Sequence, residues 1–185
     1  SPWRTAARAW FVLRAAGIRN LAVLDGGLAK WRAEGRALIS DVETPRERHL
    51  VFDPVEAPVR DKAAVLANVA SGAEQLVDAR SAARFTGAES DPHGAAGHIP
   101  GARSLPYTML FEADGTWKQG EALAAEYTRA GIDLDRPVTA SCGSGVTAAV
   151  LLFGLHLLGR DGALYDGSWS EWGADPDTPK AMGEA

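Results

Sequence analysis

Residues 137–158 decide the fold of this chain: Pro-Val-Thr-Ala-Ser is followed by Cys-Gly-Ser-Gly-Val-Thr and then by Ala-Ala-Val-Leu-Leu-Phe-Gly-Leu-His-Leu-Leu. The first five residues form a short run typical of a buried strand, and the apolar stretch from Val146 to Leu158 is typical of a buried helix. Gly143 and Gly145 lie in the turn between them, where they let the backbone curl tightly. A buried strand that leads through such a turn into a helix predicts an α/β fold.

The rest of the chain after residue 60 alternates helices and strands in the same way. Asp61 can cap a helix that runs to Ala70, and Ser90–Gly97 has the Pro and Gly content of a loop. The sequence predicts strands over 74–78, 102–106, 137–141 and 163–165, and further helices over 81–85 and 121–130. This alternation favours a parallel sheet that is flanked by helices on both faces.

An internal repeat divides the chain. Near the N-terminus, Thr-Ala-Ala (5–7) begins an apolar helix that reaches Gly17, and a short strand over 21–24, Asp-Gly-Gly (25–27) and Trp31 follow. The same order recurs over residues 147–172 with one deletion. The chain therefore contains the end of one domain and the whole of a second, similar domain. We expect a C-terminal remnant of the first domain over 1–40, a Pro-containing linker over 41–60, the complete domain over 61–177 and a tail over 178–185.

The repeat also places the equivalent of Cys142 just before Ser1. The first helix carries Trp10, Phe11, Val12 and Leu13, which need a sheet to cover them. We therefore expect that the intact protein has an N-terminal half that is missing here, cleaved off or present as another chain.

Composition excludes several classes of protein. The 185 residues have a net charge of −5, and no segment concentrates Lys and Arg as a nucleic-acid or anionic-membrane surface would. The stretch 146–158 is too short to span a bilayer, which needs about 20 residues, and the N-terminus lacks the pattern of a secretory signal.

One cysteine allows no internal disulfide, so we expect a cytoplasmic location. No His, Cys and Asp cluster has metal-ligand spacing, and we expect neither metal nor cofactor.

Cys142 is the candidate nucleophile. Amides of the glycine turn and the positive end of the following helix would surround its sulfur, stabilise the thiolate and hold the extra sulfur of a persulfide. The turn should also leave the thiol accessible. The alternative is an inert, buried cysteine, since free cysteines are among the most buried residues.

Residues 142–147, Cys-Gly-Ser-Gly-Val-Thr, resemble the active loop of 3-mercaptopyruvate sulfurtransferases, a branch of the rhodanese superfamily. Gly-His-Ile-Pro-Gly-Ala (97–102), Asp-Gly-Ser-Trp-Ser-Glu-Trp (166–172) and Asp-Ala-Arg (78–80) resemble three further motifs of the superfamily. The resemblance covers the whole chain and is to the two-domain type, so residues 1–40 match the end of the non-catalytic first domain and 61–177 the catalytic domain. Thiosulfate sulfurtransferases usually have basic residues where Gly143 and Ser144 stand.

The resemblance implies a ping-pong sulfur transfer. Cys142 would take a sulfane sulfur from an anionic donor, 3-mercaptopyruvate or thiosulfate, and pass it to cyanide, a small thiol or a protein thiol. Ser144 would assist proton transfer. Gly143, Gly145, Val146 and Thr147 would cradle the persulfide.

Two residues match positions that bind the donor in the mercaptopyruvate enzymes. Arg84 matches the first of two arginines there, whereas His93 stands in place of the second. A neutral imidazole binds a carboxylate less strongly than a guanidinium does, and a charged imidazole would bind it only at lower pH. His93 therefore weakens the case for 3-mercaptopyruvate as the donor, although the loop sequence still favours it modestly over thiosulfate. Arg80 is expected to have a structural role, paired with an acid near the loop.

Two other functions compete with this interpretation. A cysteine-dependent phosphatase needs an arginine six positions after the cysteine, and position 148 is alanine. A non-catalytic rhodanese-like interaction module is the stronger alternative, although such modules commonly lose the cysteine that this chain retains.

Overall fold

The computed structural model describes residues 2–40, 44, 47 and 58–184. The helices are α1 (Pro2–Ala15), α2 (Gly27–Ala33), α3 (Lys62–Ser71), α4 (Ala82–Thr86), α5 (Gly120–Arg129), α6 (Ala148–Leu157) and α7 (Ser168–Trp172). The strands are β1 (Val59–Arg60), β2 (Gln75–Asp78), β3 (Arg103–Ser104), β4 (Val138–Ser141) and β5 (Ala163–Tyr165), and a 3-10 helix covers Tyr107–Leu110.

The five strands form one sheet in the order β1-β5-β4-β2-β3, and every neighbouring pair is parallel. The central strand β4 is buried along its whole length, and Ala140 lies opposite Val77 of β2. The predicted parallel sheet is therefore confirmed. Its carboxyl edge, where β4 ends and the glycine turn begins, is where parallel α/β sheets place their sites.

Helices cover both faces of the sheet, as predicted. One core lies against α1, α5 and α6, and it takes Val77 and Leu164 from the sheet. The other lies against α3, α4 and α7, and it takes the neighbouring residues Leu76 and Tyr165. Adjacent strand residues point to opposite faces, so the apolar runs of β2 and β5 supply both cores.

Local signals set the helix ends. The Asp61 carboxylate accepts a hydrogen bond from the Ala64 amide at 2.8 Å, so Asp61 caps α3 as predicted. Ser81 caps α4 in the same way, through the Arg84 amide. Gly87 ends α4 in the left-handed conformation, which turns the chain back towards the site.

Two expectations about the ends of the domain need correction. Residues 21–24 form no strand, because no described strand is available there to pair with them. The linker was expected to include Val59 and Arg60, but these residues form the edge strand β1 beside β5. Most of the remaining linker, residues 41–43, 45–46 and 48–57, lies outside the described residues. Within the tail that is predicted over 178–185, Ala181 exchanges backbone hydrogen bonds of 2.9 Å with His98.

The N-terminal segment packs on the complete domain. Trp10 and Phe11 of α1 are buried, and the Trp10 ring meets Phe153 of α6 edge to face, with ring centroids 5.0 Å apart. For these two residues the core that includes α6 supplies the cover, so they need no additional sheet. Val12 and Leu13 remain 49% and 38% exposed. No helix within the described residues has the length and apolar character needed to cross a membrane.

Candidate active site

Cys142 directly follows β4 and lies beneath the turn that connects β4 to α6. The residue is 1% exposed and belongs to the core that includes α6. The expectation of an accessible thiol is therefore wrong for this conformation, because the end of a central strand and α7 enclose the sulfur. Gly143 and Ser144, the next residues, line an open cleft of about 870 Å³. The thiol thus lies behind the wall of the cleft.

α7 fastens the turn to the sheet. The Cys142 amide donates to the Ser168 hydroxyl oxygen at 3.1 Å, and this oxygen lies 3.9 Å from the Cys142 sulfur. The carbonyls of Cys142 and Gly143 accept from the amides of Trp169 and Ser170 at 2.9 and 2.8 Å. Ser168 is the one non-glycine residue of the described chain with a positive φ, 50°, and this conformation brings its side chain to the turn.

The amides of residues 143–147 differ from that of Cys142. None of these five N–H groups donates a hydrogen bond to another residue of the described chain. Of these residues only Ser144 is exposed. Buried or partly buried amides normally have a partner, so a run of this kind with no acceptor in the described part of the chain is unusual. Successive free amides before a helix form the kind of concave donor surface that binds an anion.

A second contact fixes the other side of the turn. Arg8 of α1 donates to the Asp166 carboxylate at 2.6 Å and to the Gly145 carbonyl at 3.4 Å. Gly145 has a φ of 76°, and a Cβ there would lie 2.7 Å from the Asp166 carbonyl oxygen. Only glycine fits this position, and the N-terminal segment takes part in holding it.

The cleft is lined by residues from four parts of the chain. These are Thr5 of α1, the segments 79–84 and 89–93 around α4, the segment 106–109 that includes most of the 3-10 helix, and the turn residues Gly143, Ser144, Val146 and Thr147. Arg84 and His93 both lie among them. The structure therefore brings the two predicted donor-binding residues to the same cleft as the predicted loop.

His93 packs directly on the turn. A Cβ on Gly143 would lie 2.8 Å from Cδ2 and 3.2 Å from Nε2 of the imidazole. Any side chain at position 143 would occupy the space of this ring. The absence of a side chain at Gly143 and the position of His93 are thus linked.

A buried ion network holds the segment that carries His93. The Arg80 guanidinium donates to the Asp78 carboxylate at 2.7–3.1 Å and to Asp91 at 2.8 Å, and its carbon lies 4.5 Å from the centre of the Trp169 ring. Asp91 in turn accepts from the His93 amide at 2.9 Å. Burial lowers the pKa of Arg80, but hydrogen bonds and charges of the two aspartates outweigh it and raise the pKa. Arg80 has the expected structural role.

Residues 61–175 match the model of the rhodanese-like domain family. The chain belongs to this family. It is 42% identical over 180 residues to the 3-mercaptopyruvate sulfurtransferase of Escherichia coli K12, covering 95% of this chain and 63% of the relative. It is 39% identical over 180 residues to SseB of Mycobacterium tuberculosis, a putative thiosulfate sulfurtransferase, covering 97% of this chain and 63% of the relative.

Solved structures agree with the rhodanese fold. SseA from Escherichia coli, a 3-mercaptopyruvate sulfotransferase of that fold, matches with a TM-score of 0.77 at 38% identity over 89% of this chain and 62% of the other. Tum1 from Saccharomyces cerevisiae matches with a TM-score of 0.82 at 28% identity over 98% and 66%. The chain spans 52–63% of the length of the first curated relatives it matches.

Within this rhodanese-like domain, the predicted residues occupy three positions. Six of them line the cleft: Arg84, His93, Gly143, Ser144, Val146 and Thr147. Cys142 lies behind the wall of the cleft, and Gly145 faces Asp166. Sequence reasoning missed Ser168 and Arg8. Ser168 stands in the motif 166–172, which points to it, whereas no local pattern marks Arg8. Among the described residues no group of three or more His, Cys, Asp or Glu side chains could hold a metal ion.

Proposed function

We propose that this chain is the sulfur-transferring part of a rhodanese-type sulfurtransferase, with Cys142 as the sulfur carrier. The observation that carries the proposal is the run of five amides that have no acceptor among the described residues. They lie next to the single cysteine of the chain, at the wall of a cleft that contains Arg84. Such amides stabilise an anionic sulfur without the reorganisation that water would need.

In the first half-reaction the Cys142 thiolate attacks the transferable sulfur of the donor, which is the outer sulfur of thiosulfate or the thiol sulfur of 3-mercaptopyruvate. A sulfur–sulfur bond forms, and the bond between that sulfur and the rest of the donor breaks. The remainder of thiosulfate leaves as sulfite. The remainder of 3-mercaptopyruvate leaves as the enolate of pyruvate, which takes up the proton that the mercapto group loses. The Ser144 hydroxyl lines the cleft and can relay this proton.

In the second half-reaction an acceptor attacks the outer sulfur of the Cys142 persulfide. Cyanide takes the outer sulfur and becomes thiocyanate, whereas a thiol acceptor becomes a persulfide. In both cases the bond between the two sulfurs breaks and the thiolate of Cys142 is restored. The loop amides of Gly143, Gly145, Val146 and Thr147 would hold the outer sulfur between the two steps.

Arg84 and His93 are proposed to bind the anionic group of the donor. Both line the cleft, and the Arg84 guanidinium can bind a carboxylate or sulfonate through two hydrogen bonds. His93 adds charge to the cleft only when it is protonated. This arrangement supports 3-mercaptopyruvate or thiosulfate as the donor.

We also propose that residues 1–40 are the end of a second rhodanese-like unit, whose remaining part would be a partner of this chain. α1 and α6 each lead to a glycine with positive φ two residues after the helix, Gly17 at 88° and Gly159 at 70°. The exposed side chains of Val12 and Leu13 give that part an apolar surface to pack on. Cytoplasm remains the location we predict.

Parallel assays with thiosulfate and 3-mercaptopyruvate, with cyanide as acceptor, test the proposal. We expect thiocyanate from the parent chain and none above background from Cys142→Ala. Mass spectrometry of the donor-treated protein should show one added sulfur atom on Cys142. A chain that gains no sulfur from either donor would instead be an interaction module, the function that the 1% exposure of Cys142 favours.

A further inference from the structure

The cleft contains a carboxylate that no part of the proposed reaction uses. Glu89 lines the cleft together with Arg84, and its Oε1 lies 3.7 Å from Nε of Arg84. The side chains of Arg84 and Glu89 are 37% and 52% exposed, so solvent and ligands reach both. A donor anion that binds Arg84 therefore approaches Glu89 as well.

The backbone builds this arrangement. Gly87 ends α4, and the amide of Glu89 donates to the Ala83 carbonyl at 3.0 Å. The turn therefore folds back along α4 and brings residue 89 beside residue 84. The backbone hydrogen bond and the ion pair with Arg84 therefore both hold the Glu89 carboxylate in place.

Apart from Arg84, the other fixed charges around the cleft do not compensate for Glu89. Arg80 lines the cleft, but Asp78 and Asp91 both pair with it, so these three side chains carry one net negative charge. Arg84 and Glu89 cancel each other. With His93 uncharged the side chains sum to −1, and with His93 protonated they sum to zero. Behind the wall, the Cys142 thiolate adds another negative charge.

We infer that Glu89 makes the cleft selective for sulfur donors with a single negative charge over donors with two. This inference rests on the proposed function and names the donor class within it. In the field of one fixed charge, the unfavourable energy of a dianion is about twice that of a monoanion. 3-Mercaptopyruvate carries one negative charge and thiosulfate carries two, so Glu89 disfavours thiosulfate more.

The size of the effect follows from the exposure of the pair. Exposed ion pairs change an equilibrium constant by about 1.4- to 5-fold for one charge. In Glu89→Gln we expect kcat/KM to rise about 2-fold for 3-mercaptopyruvate and about 4-fold for thiosulfate. Both gains should shrink as salt is added, because ions screen exposed charges.

Glu121→Gln is the matched control. Glu121 is an exposed residue of α5 outside the cleft, so this variant has the same change in net charge. It should leave both kcat/KM values unchanged. Equal gains for the two donors in Glu89→Gln, no gain, or a loss would overturn the inference.

A binding measurement separates this inference from the proposed function. In Cys142→Ala, calorimetric titration with pyruvate and with sulfate compares a monoanion and a dianion without turnover. Adding Glu89→Gln should tighten sulfate binding more than pyruvate binding. If it does so while the parent chain transfers no sulfur, the proposed reaction fails and the charge selection stands. If the parent chain is active and the two anions respond alike, the selection alone fails.

Discussion

At the scale of single residues, the site depends on glycines as much as on reactive groups. Gly143 leaves room for the His93 imidazole, and Gly145 allows the approach of Asp166. A side chain at position 143 would collide with the His93 ring. A side chain at position 145 would collide with the Asp166 carbonyl oxygen and would also be strained by the positive φ. The composition of the loop is therefore tied to residues that lie far from it in the sequence.

Gly143→Ala tests the link between the loop and His93. The added methyl group would lie 2.8 Å from the ring, so the imidazole must move. If His93 binds the donor, we expect KM to rise several-fold, with a coupling to His93→Ala of about 0.5–3 kcal/mol. This coupling energy is measured by a double-mutant cycle, in which KM for 3-mercaptopyruvate is compared among the parent chain, the two single variants and the double variant. Additive effects of the two substitutions would show that the contact does not matter for binding.

At the scale of elements, ion pairs connect strands and loops that the sheet alone does not hold together. The Asp78–Arg80–Asp91 network joins the end of β2 to the loop that carries His93. At the other end of the sheet, Arg60 of the edge strand β1 donates to Glu74 at 2.6–3.2 Å. Glu74 also accepts from the Thr139 hydroxyl of β4.

The pair of Arg60 and Glu74 predicts a pH dependence of stability. The hydrogen bond with Arg60 lowers the pKa of Glu74, against the opposing effect of burial and with a further contribution from Thr139. The folded state then binds the proton less readily than the unfolded state. The stabilisation is therefore present above the unfolded pKa, about 4.3, and is lost as pH falls through the lower folded pKa.

Glu74→Gln should therefore destabilise the protein by about 1 kcal/mol at pH 7 and have almost no effect near the acid limit of folding. Urea denaturation of the parent and the variant at a series of pH values measures this difference. Glu121→Gln, an exposed change on α5, should show no such trend. A constant difference at all pH values would contradict the assigned pKa direction.

At the scale of the whole molecule, the two ends of the chain pack on the rhodanese-like domain. α1 covers α6 and contributes Arg8 and Thr5 to the surroundings of the loop. Residues near the C-terminus pair with His98. The folded unit is thus larger than the segment 61–175 that matches the family.

Trp10→Ala tests whether the N-terminal segment unfolds together with the domain. Trp10 is 7% exposed and contacts both Phe153 and His156 of α6. Removing a buried tryptophan should cost about 3–5 kcal/mol. Val12→Ala on the same helix, at a position 49% exposed, should cost less than about 1 kcal/mol. Urea denaturation that shows equal costs would mean that α1 is outside the cooperative unit.

The sequence predicted most of the elements, because their signals are local. The cap at Asp61, the buried run before Cys142 and the apolar helix after it each depend on residues close in the chain. The wrong predictions are of another kind. A strand over 21–24 needs a neighbouring strand, and the two-residue strand β1 is too short to show a period.

The sequence by itself determined the parallel α/β fold, the loop with its cysteine and the likeness to sulfurtransferases, since strand, turn and helix signals all lie within short stretches. Only the tertiary structure decided that the thiol is buried, that His93 packs on Gly143 and that Glu89 lies beside Arg84. The physical reason is that burial and charge pairing depend on which loops meet at the carboxyl edge of the sheet. Which loops meet there is fixed by the strand order, and no local pattern of residues reveals the strand order.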